Sequence, residues 1–125
     1  MNNKLIYNTF ILLGLFFLLS ACKSAGLPKI TEPSYSTFNH GTERGYKVKF
    51  QLKNDTAKPT AVVINKVKQN ISEENKIGNT YQVNIIAQSQ KILGFKANIV
   101  EKPNGIFFQT NSGEEVFEEV NFKLE

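Results

Sequence analysis

From residue 46 onward the chain alternates with a period of two. Tyr46, Val48, Phe50 and Leu52 share one parity while Lys47, Lys49, Gln51 and Lys53 share the other, which predicts a strand with one buried and one solvated face. Asn54-Asp55-Thr56-Ala57-Lys58-Pro59 supplies turn chemistry, and a β-branched run over residues 61–67 predicts the next strand. Val62, Val63 and Ile64 are consecutive, and Val67 falls on the opposite parity to Ile64. This strand is therefore expected to carry a bulge or to be buried on both faces. Residues 72–79, with Glu73, Glu74, Lys76 and Gly78, read as a polar loop with room for one helical turn. Alternation resumes with Tyr81, Val83, Ile85 and Ala87, and again with Leu93, Phe95, Ala97 and Ile99. Lys102-Pro103-Asn104-Gly105 closes that fourth strand with Pro and Gly placed for a tight turn. A short strand over 106–110, the turn Asn111-Ser112-Gly113 and a last strand over 116–124 complete the pattern, with Glu118 and Glu119 marking a bulge or an exposed end.

Six to seven short strands separated by turns, with no strong helical period, predict an all-β fold: an antiparallel two-sheet sandwich in preference to a small barrel. Tyr46, Phe50, Tyr81, Phe95, Phe107 and Phe122 are the expected aromatic core. The strand pattern resembles the immunoglobulin-like domains of bacterial surface lipoproteins. It resembles them in architecture alone, because the chain has no tryptophan and one cysteine, and so lacks the buried Trp and the cysteine pair of antibody domains.

Ahead of this pattern the periodicity changes. Lys4 precedes an unbroken apolar run of ten residues from Phe10 to Leu19, followed by the small residues Ser20 and Ala21. These are the parts of an export signal, and the run falls short of the roughly 20 apolar residues that a spanning helix needs. Leu19-Ser20-Ala21-Cys22 resembles the lipobox of bacterial lipoproteins. That resemblance implies cleavage before Cys22, a diacylglyceryl thioether on its sulfur and a further acyl chain on the new amino terminus. Burial of acyl chains contributes about 0.8 kcal/mol per methylene, so two or three chains hold a protein to a bilayer without any helix. Cys22 is the only cysteine, so the expected role of the thiol is attachment. Lys23 stands where an aspartate would retain such a protein at the inner membrane, which points to the outer membrane; periplasmic and surface exposure both stay open.

Residues 22–44 are rich in Ser, Gly and Pro with few apolar side chains, and are expected to form a flexible tether with at most a short strand over 35–38. The expected division is signal 1–21, tether 22–44 and sandwich 45–125. Removing 21 residues from 125 leaves 104, enough for one domain. Because Lys4 lies in the signal, the 15 basic residues become 14 against 11 acidic ones, a formal balance of +3. So mild an excess reads first as a solvated surface. Export and a single arginine, Arg44, argue against nucleic acid as a partner.

Chemistry-bearing residues are sparse. His40 is the only histidine, so neither a catalytic triad nor a zinc site can be assembled around it. Glu73-Glu74, Glu114-Glu115 and Glu118-Glu119 offer paired carboxylates of the kind that hydrolyse glycosides, but neighbours in a strand point to opposite faces. Asn111-Ser112-Gly113-Glu114-Glu115 has loop oxygens for calcium without the spacing of a calcium loop. Asp55-Thr56-Ala57 is similar to a bacterial O-glycosylation pattern, with Thr56 as acceptor. No catalytic residue and no cofactor is expected. The leading expectation is a lipid-anchored, non-catalytic interaction or accessory module held by the membrane through Cys22 and by a protein partner. A glycan-, peptide- or small-ligand-binding lipoprotein is the alternative, and a small envelope enzyme or inhibitor is the third.

Overall fold

The computed structural model describes residues 26–125, which carry nine strands and one short 3₁₀ turn. The apolar run, the lipobox residues Leu19, Ser20, Ala21 and Cys22, and Lys23 lie outside the described residues. The strands are β1 (Ile30–Asn39), β2 (Glu43–Leu52), β3 (Ala57–Ile64), β4 (Val67–Asn70), β5 (Lys76–Ile77), β6 (Thr80–Ser89), β7 (Gly105–Thr110), β8 (Glu115–Glu119) and β9 (Lys123–Leu124). They form a five-stranded sheet, β5-β6-β2-β1-β9, and a four-stranded sheet, β4-β3-β7-β8. All pairings are antiparallel except β1 with β9. Apart from β9, this is the D-E-B-A and C′-C-F-G strand order of an immunoglobulin-like sandwich.

The alternation in β2 and β6 is used as its period dictates. Val48, Phe50 and Leu52 face Tyr81, Val83 and Ile85 on the inner side of the first sheet, and all six are buried. Phe50 and Tyr81, directly opposed, stack with ring centroids 5.1 Å apart. From the second sheet Ala57, Val62, Ile64, Ile106 and Phe108 close the same cluster. β3 accommodates its consecutive apolar residues by both expected devices. A register shift between Pro59 and Ala61 moves the core-facing parity from Ala57 to Val62 and Ile64, and Ala61 and Val63 are buried as well. Val67 falls off the parity because the strand has already ended: Asn65 and Lys66 have φ of 49° and 68°, which makes them a two-residue hairpin turn of the primed type.

Four expectations are corrected. The tether does not extend to residue 44, since Ile30–Asn39 is a full strand paired with β2 along its length. Its Ser, Thr and Pro content suits an edge position. Pro33 sits in a bulge between Thr31 and Ser34, where Glu32 has φ of 51°, and an edge bulge tolerates both Pro and a strained residue. The strand expected over residues 93–99 is an irregular connection instead, in which only Ile99 bridges, to Val67. The strand expected over 116–124 is divided between the two sheets, with Val120 and Phe122 buried in the crossing. Finally, the aromatic core contains Phe108 in place of Phe107 and Phe95: the inward parity of β7 is that of Ile106 and Phe108, and Tyr46 is only half-buried against the cluster.

Glu118 shares the inner parity of β8, opposite Ile106. Its Oε2 is buried with no hydrogen-bond partner, and burial raises its pKa above the ordinary carboxylate value. A folded-state pKa above the unfolded one means that the native state holds the proton more tightly. Ionisation therefore weakens the fold as pH rises from the unfolded to the folded value. Glu118→Gln is expected to raise the melting temperature at pH 7, with the gain shrinking as pH falls below the carboxylate range. Glu118→Val is expected to stabilise too, but to self-associate in sedimentation, because an inward charge guards an edge strand against pairing with another.

Candidate functional site

The sandwich has two distinct poles. Residues 26–29 enter at one, where the Lys53 N–H donates to the Lys29 carbonyl and the Leu52 N–H to that of Asn79. The loops 53–56, 78–79 and 111–114 lie at this amino-terminal pole. At the opposite pole stand the β1–β2 turn at 40–42, the β3–β4 turn at 65–66 and the long connection 90–104. The ten residues of β2 separate the poles by about 33 Å.

The far pole carries the most unusual surface among the described residues. The connection starts where the Gln90 N–H donates to the Thr42 carbonyl, then folds into a tight turn in which the Phe95 N–H donates to the Ile92 carbonyl. Gly94 makes the turn feasible at φ of 73°, a conformation that side chains beyond glycine rarely adopt. The turn pushes apolar residues outward: Leu93 is fully exposed and Ile92 is 55% exposed. Lys91 and Lys96 flank it, Lys91 lying 3.6 Å from Glu43. Beyond the turn, the Lys68 N–H donates to the Asn98 carbonyl and the Val100 N–H to that of Lys66, so the connection is fastened to β4 while its tip stays bare. Apolar side chains gathered at one projecting tip are what a binding surface presents.

A second surface is the outer face of the first sheet. Gln82 and Asn84 of β6 stand opposite Lys49 and Lys47 of β2, which stand opposite Ser34 and Ser36 of β1. These six residues line a shallow groove of about 190 Å³ with Glu125 at its end. A neighbouring hollow of about 310 Å³ is bounded by Glu32, Lys49, Gln51 and Lys123. Both are half-open and lined mainly by polar and charged residues, unlike the enclosed sites walled by apolar and aromatic side chains that take small ligands. On the other sheet Phe107 and Phe117 pack at 4.9 Å, with Lys68 and Lys102 over their faces at 4.4 and 5.2 Å. The lysines cover these rings, which makes the patch a self-contained cation–π stack.

The residues singled out from the sequence are dispersed. Thr56 is exposed at the amino-terminal pole, its hydroxyl donating to Asn54 Oδ1 at 2.7 Å. His40 is exposed beside the β1–β2 turn and stacks on Phe38 at 5.2 Å. Glu73 makes an exposed ion pair with Lys58 at 2.9 Å, and that hydrogen bond holds its pKa below the ordinary carboxylate value, the opposite of what a general acid needs. Glu118 faces inward while Glu119, opposite Gly105, faces outward, so this pair cannot act on one bond. Glu114 is tied into its turn by its own N–H donating to Thr110 Oγ1. Among the described residues no three His, Cys, Asp or Glu side chains converge as metal ligands, and no helix is long and apolar enough to cross a membrane. The apolar turn itself escaped the sequence reading, because Leu93, Phe95, Ala97 and Ile99 alternate as a strand would; Gly94 inside the run was the signal for a turn. In comparisons with known proteins the chain matches no family model, no curated protein and no solved structure.

Proposed function

We propose that this protein is a lipid-anchored, non-catalytic interaction module of the bacterial cell envelope, an accessory subunit that holds a protein partner near the membrane. The observation that carries the reading is the bare apolar turn at Ile92 and Leu93, placed at the pole opposite the amino-terminal entry. Anchored through Cys22, with residues 22–29 spanning at most about 29 Å, the domain offers that turn away from the lipid surface. Covering one such side chain contributes about 1.5–3 kcal/mol, so the two together form the hot spot of a larger interface. The Lys23 rule supports the outer membrane as the site of attachment, and Thr56, exposed near the anchored pole, is available for O-glycosylation.

The test has two parts. The intact mass of protein extracted from the envelope is expected to lack residues 1–21 and to carry acyl groups, and Cys22→Ala is expected to leave an unlipidated precursor; a full-length wild-type mass refutes the anchor. After crosslinking in the envelope, Leu93→Ser is expected to reduce the recovered partner about tenfold or more. Unchanged recovery refutes the role of the turn.

A further inference from the structure

The inward parity of a sandwich strand ordinarily marks the core, and β2 departs from that at its far end. Val48, Phe50 and Leu52 are buried on this parity, whereas Tyr46 is half-buried and Arg44 is exposed. Residues directly opposite on neighbouring strands share a face. Thr37, opposite Tyr46, and Asn39 and Gln88, both opposite Arg44, therefore belong to the same inner face, and all three are exposed. Ala87 is the extra residue of the register shift beside Gly45, and it packs with Tyr46 against the edge of the core. Past these two side chains the inner face runs on uncovered. It forms a hollow of about 590 Å³ at the far pole, and among the described residues none from the second sheet or from the connection 90–104 lines it.

The polar side chains of the hollow form a row. Asn39, Arg44 and Gln88 stand side by side on the adjacent strands β1, β2 and β6, so the guanidinium has a carboxamide on each flank and the row spans about 10 Å. Among the described residues Arg44 is the only charged one that lines the hollow, and it makes no ion pair. Glu43, its neighbour in sequence, lies on the opposite parity and is engaged there: its Oε1 is 3.6 Å from Lys91 and its Oε2 accepts from the Ser89 hydroxyl. An adjoining hollow of about 200 Å³, which shares Arg44 and Gln88, has no acid in its lining either.

We propose that this hollow binds an acidic sugar, a uronic acid, by its carboxylate. The site lies apart from the partner turn and does not depend on it. A guanidinium meets a carboxylate through two parallel hydrogen bonds. One cation matches one negative charge, whereas a phosphate monoester, with a charge of about 1.5 to 2, would leave part of its charge unmet. The groups around Arg44 suit hydroxyls, which both donate and accept. Asn39 Oδ1 already accepts the Gly41 N–H, which leaves its amide nitrogen to donate; Gln88 offers both a donor and an acceptor, and Thr37 a hydroxyl. Tyr46 and Ala87 form an apolar wall for the C–H groups of a sugar ring. An open hollow suits such a ligand, because the hydroxyls that face outward stay hydrated. A protein segment is the poorer occupant, since protein anchors fill well-packed, fully desolvated pockets, and this hollow is open and edged with amides.

The experiment titrates the full lipidated chain in detergent micelles with trisaccharides of galacturonic, glucuronic and mannuronic acid, with their methyl esters, and with an N-acetylated tripeptide that ends in a free carboxylate. Affinities are read by calorimetry. At least one acidic trisaccharide is expected to bind, and its methyl ester, which keeps the sugar and loses the charge, to bind at least about tenfold more weakly. That comparison uses the wild-type protein alone. Arg44→Gln is expected to weaken binding at least about tenfold, and Arg44→Lys to weaken it as well, because the planar fork is lost. Both are expected to keep the wild-type melting temperature, since Arg44 is exposed. Lys47→Gln, on the outer face of β2, and Leu93→Ser are expected to leave binding unchanged. No binding of any uronic acid, equal binding of the methyl ester, tighter binding of the tripeptide, or a loss on Lys47→Gln equal to that on Arg44→Gln overturns the proposal. Each of these results leaves the interaction-module reading intact, because partner recovery after Leu93→Ser tests that separately.

Discussion

Gly45→Ala is expected to leave little folded protein. A Cβ added at Gly45 meets the Ile85 carbonyl oxygen at 1.8 Å and its carbon at 2.9 Å, with the Phe38 ring at 3.1 Å. The first two are backbone atoms of the neighbouring strand, so no rotamer change relieves them. β2 and β6 must part by more than about 1 Å, against the roughly 3.5 Å or more at which heavy atoms rest. They would part at the register shift between Arg44 and Gly45, in the strand pair that holds the centre of the first sheet. Ordinary overpacking costs about 1–3 kcal/mol; a forced separation of paired backbones should exceed it, against a total stability of about 5–15 kcal/mol. Urea titration followed by circular dichroism checks this. A midpoint close to that of the wild type would mean that β2 and β6 are not joined as described.

Phe50→Ala is expected to cost about 3–5 kcal/mol, the usual loss when a large aromatic leaves a packed core. Phe50 has no exposed surface, stacks on Tyr81 and sits in β2, between β1 and β6. The cavity resists collapse, because the cluster around it is held on paired strands. Phe107→Ala, on the outer face of β7 and half-buried, is expected to cost less than half as much. The urea midpoints of the two variants, at an unchanged slope, measure the difference. Equal losses would contradict the inward parity assigned to β7.

That comparison also marks where the sequence could be read and where it could not. β2 and β6 announce themselves because one of their faces is packed and the other is solvated, so burial and polarity alternate with the pleat. In Ile106-Phe107-Phe108 three apolar residues are consecutive, and the lysine canopy over Phe107 is supplied by Lys68 of another strand. Parity there is settled by tertiary contacts. β1 was read as linker because Ser34, Ser36 and Thr37 carry little hydrophobic signal; what keeps them extended is pairing with β2, a partner that local composition does not name. The turn at Ile92–Phe95 failed in the opposite sense, since its alternation is real but Gly94 bends the chain before a strand can form. Glu118 and Glu119 were read as a bulge or an exposed end; both are paired in the ladder without a bulge, at the end of β8. The candidate surfaces were the least legible part, because each is assembled from segments far apart in sequence: residues 91–96 beside Glu43 at the far pole, and β1, β2 and β6 across the outer groove.

The central proposal is that the far pole, and not the amino-terminal one, meets a protein partner. Photo-crosslinking from two positions in the native envelope tests it most directly, with the reactive residue introduced at Leu93 or at Lys53, which is exposed at the amino-terminal pole. One protein joined in near-stoichiometric amount from position 93, and absent from position 53, is the predicted result. Lipid alone from position 93, or the same products from both positions, would contradict the account.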